Sequence, residues 1–159
     1  MARPHALFRL GFPYLKTIGM RRTTNYPVDV AIGREGRVYV LCQQEISANT
    51  GIARITLDDD FLGQIGSLGK GDGQFTWPVS IAMDPDDNLV ISDTALHRIT
   101  FMTTEGEFLS KWGEQGSGDG QIDRPAGIAF DDDGNLYVVD SLNHRVQKFT
   151  SDGKFLMKW

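Results

Sequence analysis

The chain has 159 residues, is 40% hydrophobic and 23% charged, and carries 16 Lys and Arg against 21 Asp and Glu, for a net charge of −5. That is the composition of one globular domain able to bury roughly two-thirds of its unfolded surface. The acidic balance argues against a general nucleic-acid binder, whose affinity would come from neutralising phosphates. The single cysteine, Cys42, excludes an internal disulfide and a Cys-rich zinc site. No apolar run approaches the ~20 residues of a membrane span, and the first ten residues are too poor in apolar side chains for a signal peptide. The expectation is a soluble, cytoplasmic protein without membrane contact.

In chain order, the first predicted element is an extended segment at 14–19. It contains Tyr14-Leu-Lys-Thr-Ile18 and lies 47 residues ahead of Phe61-Leu-Gly-Gln-Ile65. A full unit follows over 26–66, opening on Pro27-Val-Asp-Val-Ala-Ile32. A second, over 78–113, opens on Pro78-Val-Ser-Ile-Ala-Met-Asp84, and a third, over 125–159, opens on Pro125-Ala-Gly-Ile-Ala-Phe-Asp131. The last two align at an offset of 47, which also carries Asp93 onto Asp140, His97-Arg98 onto His144-Arg145, and Gly106 onto Gly153. The same offset carries Phe108-Leu-Ser-Lys-Trp112 onto Phe155-Leu-Met-Lys-Trp159. The first unit is longer in its middle, between Cys42 and Ile52.

Each unit divides into four short extended segments, a to d. Segment a alternates, as in Ile81/Met83 and Ile128/Phe130. Segment b is nearly continuous in apolar residues, as in Leu136-Tyr-Val-Val139, which suits a strand covered on both faces. Turn-rich runs such as Asp84–Asp87 and Asp131–Gly134 connect them, and no stretch sustains a 3.6-residue period. The fold class is therefore all-β. A four-stranded antiparallel unit repeating every 47 residues is a β-propeller blade, because a lone twisted sheet cannot hide both faces and radial stacking gives each face a neighbour.

The run Pro125-x-Gly-Ile-Ala-x-Asp131, then Gly134-Asn-Leu-Tyr-Val-Val-Asp140-Ser-x-Asn143-His144-Arg145-Val-Gln-Lys-Phe149, resembles the NHL repeat. Gly153-x-Phe-Leu-x-x-Trp159 and the linking Gly116-Ser-Gly-Asp-Gly-Gln121 are similar to it too. The resemblance spans roughly 14–159 and weakens in the first unit, where Cys42-Gln-Gln-Glu-Ile-Ser-Ala-Asn49 replaces the Asp…Asn-His-Arg element. It implies propeller blades from a six-bladed type of ring, of which three repeats and a leading outer strand make about half. Half a ring exposes two blade faces, larger than the few hundred Å² that soluble monomers usually expose. Two expectations follow, with the first favoured: a truncated sequence, or closure by self-association through the open blade edges.

The Gly-rich loops 69–74 and 116–121 lack the following helix of a phosphate cradle. They read as d-to-a crossovers, with Gly73 and Gly120 as structural turn residues. The Asp runs lack the glycine and late glutamate of an EF-hand and read as hairpin turns. Asp93 and Asp140, repeated in register, read as structural acceptors of turn amides, with Arg98 and Arg145 packing and pairing between blades in the same reading, and Cys42 as a buried thiol. Two propeller enzyme families bear on the resemblance. Amidating lyases hold zinc with histidines just after the strand-a proline, where this chain has Val28, Val79 and Ala126. Gluconolactonase-like propellers open with a metal-binding glutamate, and the one inner-strand carboxylate here is Asp29.

No catalytic or metal site, and no cofactor, is therefore predicted. The leading expectation is a non-catalytic scaffold binding a protein, peptide or small ligand. The alternative is a fragment of a metal-dependent lyase or lactonase, using zinc or calcium, whose catalytic residues lie in blades outside this sequence. Antiparallel topology puts the a–b and c–d turns, with most of the acids, on one side of the disc. The b–c turns and d–a crossovers lie on the other, where the candidate binding face comprises His97, Arg98, Asn143, His144, Arg145, Arg124, Lys70, Gln43 and Gln44. Nucleic acid is disfavoured as its partner.

Overall fold

A computed structural model describes residues 16–18, 24–43 and 50–159. The chain forms three four-stranded antiparallel sheets in sequence. The first is β1 (Pro27–Ile32), β2 (Arg37–Cys42), β3 (Gly51–Thr56) and β4 (Phe61–Ile65). A crossover carrying the short parallel pair β5 (Ser67–Leu68) and β6 (Gln74–Phe75) leads into the second. That sheet is β7 (Pro78–Met83), β8 (Leu89–Asp93), β9 (Arg98–Met102) and β10 (Phe108–Trp112). The third is β11 (Pro125–Phe130), β12 (Leu136–Asp140), β13 (Arg145–Phe149) and β14 (Phe155–Lys158). Of the extended segment read at 14–19, residues 16–18 are described and are not in a strand; the rest lies outside the described residues.

The first strands of the three sheets lie side by side, β1 against β7 and β7 against β11, as inner strands do when sheets stack radially. Pairing in register sorts each sheet's side chains onto two faces. Ile81, Met83, Leu89, Ile91 and Met102 point from the second sheet to the first, where they meet Ala31, Tyr39, Leu41, Ile52 and Ile65. Val90, Ile99 and Phe101 point the other way, onto Ile128, Phe130, Leu136, Val138 and Phe149. Among the described residues the two apolar clusters each lie between sheets, while Val38, Cys42, Ala53 and Ile55, on the first sheet's other face, are buried as well. In β8 and β9 every residue is buried, which explains the continuous apolar run of segment b. Val138 is fully buried in the second layer. A fully buried Leu, Ile or Phe contributes about 1.5–3 kcal/mol, so each sheet depends on its neighbours for most of its stability.

The outward faces of the first and third sheets have no neighbouring sheet among the described residues. Val30 is 53% and Ile32 69% exposed on one; Val139 is 40% and Trp159 60% exposed on the other.

Candidate functional site

The b–c turns and d–a crossovers share one side of the stack. Here the second and third sheets carry a repeated device. Asp93, at the end of β8, is fully buried and accepts the backbone N–H groups of Thr76 (2.7 Å), Trp77 (3.1 Å), Ala95 (3.0 Å) and Leu96 (3.0 Å). One carboxylate therefore closes its own b–c turn and pins the residues entering β7. Asp140, also fully buried, accepts Asp123 N–H (2.7 Å), Arg145 Nε–H (2.7 Å), Asn143 Nδ2–H (2.9 Å) and Gln147 Nε2–H (3.0 Å). Gln147, which sequence reasoning passed over, is buried on β13 and also donates to Gln121 O.

Arg98 and Arg145 begin the c strands and reach under the crossovers, away from the rim. Arg98 is 8% exposed and donates to the carbonyls of Lys70 (3.0 Å), Gly71 (2.9 Å) and Gln74 (2.8 Å). Arg145 donates to the equivalent carbonyls of Ser117 (3.0 Å), Gly118 (2.7 Å) and Gln121 (2.8 Å). A planar guanidinium suits this because its fork spans several acceptors at once. Gly73 (φ 66°) and Gly120 (φ 82°) bend the crossovers around these forks in the left-handed region. Asn143 Nδ2 also donates to Gly116 O, at 2.8 Å.

The remaining residues of the predicted face divide. His97 and His144 are equivalent in sequence and both left-handed, at φ 50° and 51°, yet only His97 is covered by a following sheet. Its Nδ1 accepts the Arg124 N–H at 3.2 Å and lies 3.1 Å from Asp123 Oδ1, an oxygen that has no hydrogen-bond partner. His144 is exposed beside Val139 and Trp159. Arg124 and the Lys70 side chain are exposed. The Gln43 N–H donates to Tyr26 O at 3.0 Å, and Gln44 lies outside the described residues. Between the second and third sheets a groove of about 520 Å³ is lined by Trp77, Thr94, Ala95, His97 and Arg124. Sequence reasoning missed Trp77 and Thr94; the signal available was that Trp77 immediately precedes the strand-a proline, at the same place as Arg124 in the next repeat.

Asp29 is committed between blades. Its Oδ2 accepts Ser80 Oγ–H (2.7 Å) and Ile81 N–H (2.9 Å). On the opposite side the acids close turns: Asp84 Oδ1 accepts the N–H groups of Asp86 and Asn88, and Asp131 Oδ1 those of Asp133 and Asn135. Lys148, 2.8 Å from Asp131 and hydrogen-bonded to it, is the main influence holding that carboxyl down to about 2. Glu105 binds Arg54 (2.5 Å) and Arg37 (2.9 Å) across the first junction, Arg54 foremost in lowering its pKa. Burial pushes the Cys42 thiol up. Among the described residues, no group of three or more His, Cys, Asp or Glu is placed to hold a metal ion, and no helix is long and apolar enough to cross a membrane.

Residues 123–149 match the family model of the NHL repeat. No curated protein matches the chain. Among solved structures, the chain is similar to a streptogramin B lyase at 19% identity, covering 84% of this chain and 40% of that one with a TM-score of 0.63. It is similar to virginiamycin B lyase from Staphylococcus aureus at 17% identity, over 91% of this chain and 43% of that one, with a TM-score of 0.61. It is also similar to U3-55K at 15% identity, over 84% of this chain and 39% of that one, with a TM-score of 0.64. The chain spans about two-fifths of the length of these structures. The fold is all-β and propeller-type, with stacked four-stranded blades.

Proposed function

We propose that the chain is a non-catalytic NHL-type propeller segment, part of a six-bladed arrangement, whose b–c/d–a side binds a protein, peptide or small ligand. The observation that carries this reading is the groove at the second junction. There an exposed guanidinium (Arg124), an indole (Trp77) and an imidazole (His97) border one concavity. Most of the neighbouring polar groups are already committed to the scaffold. A rigid frame with a few uncommitted donors around an aromatic residue is the usual composition of a recognition site.

Peptides selected by display on the intact chain test it. Arg124→Glu and Trp77→Ala are expected to weaken the selected peptides at least tenfold, while Asp132→Lys on the acidic side leaves them unchanged. Loss of binding through the acidic-side substitution alone would overturn the reading. The alternative, a fragment of a metal-dependent lyase or lactonase, is favoured by the likeness to the streptogramin and virginiamycin B lyases. Its ligands would have to come from outside the described residues, and stoichiometric zinc or calcium in the purified protein would promote it.

A further inference from the structure

We infer that a second groove between the second and third sheets, on the acid-rich side of the stack, takes arginine side chains from a basic segment of a partner protein. It lies on the opposite side from the groove of Trp77 and Arg124 and does not depend on that reading. Its volume is about 390 Å³. The floor is apolar, built from Pro85, Phe101 and Leu109, and the rim carries the carboxylates of Asp86, Asp133 and Asp152. No lysine or arginine lines it.

The first junction has the same groove, and there the complementary groups belong to the chain itself. Ile32 pairs with Val38 where Met83 pairs with Leu89, so Arg34 and Arg37 hold the positions of Pro85 and Asn88. Tyr39 pairs with Arg54 where Val90 pairs with Phe101, so Arg54 holds the position of Phe101. Three arginines of the first sheet thus become three uncharged residues in the second. In the first junction Glu105 binds Arg54 at 2.5 Å and Arg37 at 2.9 Å, and Arg34 Nε lies 3.9 Å from Asp87. The space left there is only about 210 Å³.

The counterpart of Glu105 is Asp152, each directly before the glycine of its c–d turn. Among the described residues Asp152 accepts only the hydroxyl of Thr150, and no hydrogen bond or ion pair engages the carboxylates of Asp86 and Asp133. Asp84, also at the groove, is spent on the N–H groups of its own turn. Uncommitted carboxylates above an aromatic and aliphatic floor suit a guanidinium, whose edge donates in pairs while its flat face stacks on the floor. An ammonium would use the rim alone.

The test titrates a capped peptide, Gly-Arg-Gly-Arg-Gly, into the isotope-labelled intact chain and follows amide shifts by NMR, which also report that each variant is folded. Saturable shifts are expected around 84–88, 109–110, 133–134 and 151–152, with the lysine version of the peptide several-fold weaker. Asp133→Asn combined with Asp152→Asn is expected to weaken the arginine peptide about tenfold. Asp132→Asn, on the same side but outside the groove, leaves it unchanged. Asn88→Arg restores the arginine of the first junction and is expected to abolish binding, as is Pro85→Arg. Arg124→Glu and Trp77→Ala leave this peptide bound, so the two sites stand or fall separately. The proposal is overturned by the absence of saturable binding, by equal affinity for the lysine peptide, or by a loss through Asp132→Asn as large as through the groove pair. Undiminished binding to both folded arginine variants overturns it as well.

Discussion

The first sheet and the two that follow share a register but close their b–c turns differently. Pro27 pairs with Cys42 where Pro78 pairs with Asp93 and Pro125 with Asp140. Cys42 in turn pairs with Gly51 where the carboxylates pair with Arg98 and Arg145. Carboxylate and arginine are thus lost together, and the Gly-rich crossover whose carbonyls the arginine would bind is absent from the sequence ahead of the first sheet. In the third sheet Arg145 joins the Asp140 carboxylate to the crossover carbonyls; in the second, Arg98 holds the crossover while backbone N–H groups alone hold Asp93. A buried charge is tolerated only while donors surround it, whereas the small, apolar-tolerant thiol of Cys42 needs none.

Substitutions at the three equivalent positions should break this comparison most visibly. Asp140→Ala removes the acceptor of four different donors and leaves the Arg145 Nε uncompensated under the crossover. A loss of about 3–5 kcal/mol is expected by chemical denaturation, the range for removing one partner of a buried pair. Asp93→Ala forfeits four backbone hydrogen bonds but no ion pair to Arg98, and should lose somewhat less, about 3 kcal/mol.

The reverse substitution sharpens the comparison. Cys42→Asp puts a carboxylate at a position only 3% exposed that now holds a thiol, so it should destabilise by about 2 kcal/mol. A gain in stability would show that backbone donors alone satisfy a carboxylate here too, as they do at Asp93.

The smallest effect concerns an exposed turn. The Asp131 carboxyl, held at about 2 against an ordinary 3.8, has a depressed folded-state pKa. Its contribution to stability is present above pH 3.8 and is lost as pH falls through about 2. Carboxyl NMR titration should find that low midpoint in the native chain and a rise toward the ordinary value in Lys148→Met.

Much of the fold was legible in the residues. The 47-residue offset, the alternation of Ile81/Met83 and Ile128/Phe130, and the continuous apolar run of segment b all follow from sheets that need cover on both sides. Less of the candidate site was legible. Arg98 and Arg145 read both as residues packing and pairing between blades and as members of the candidate binding face, because an arginine beside a turn carries no mark of its direction; the carbonyls that draw it inward lie 24 to 28 residues away. Asp29, an isolated inner-strand carboxylate by sequence, serves Ser80 and Ile81 on the next blade.

The amino-acid sequence by itself determined that this protein is built of repeating four-stranded units, because strand periodicity and turn chemistry are local and recur at a constant spacing. Tertiary structure alone decided which polar groups are spent inside the scaffold and which remain at its surface. A hydrogen bond between sheets depends on how two distant stretches of chain meet. His97 and His144 show it: the same residue in the same turn is covered in one blade and open in the next, according to whether another sheet lies against it.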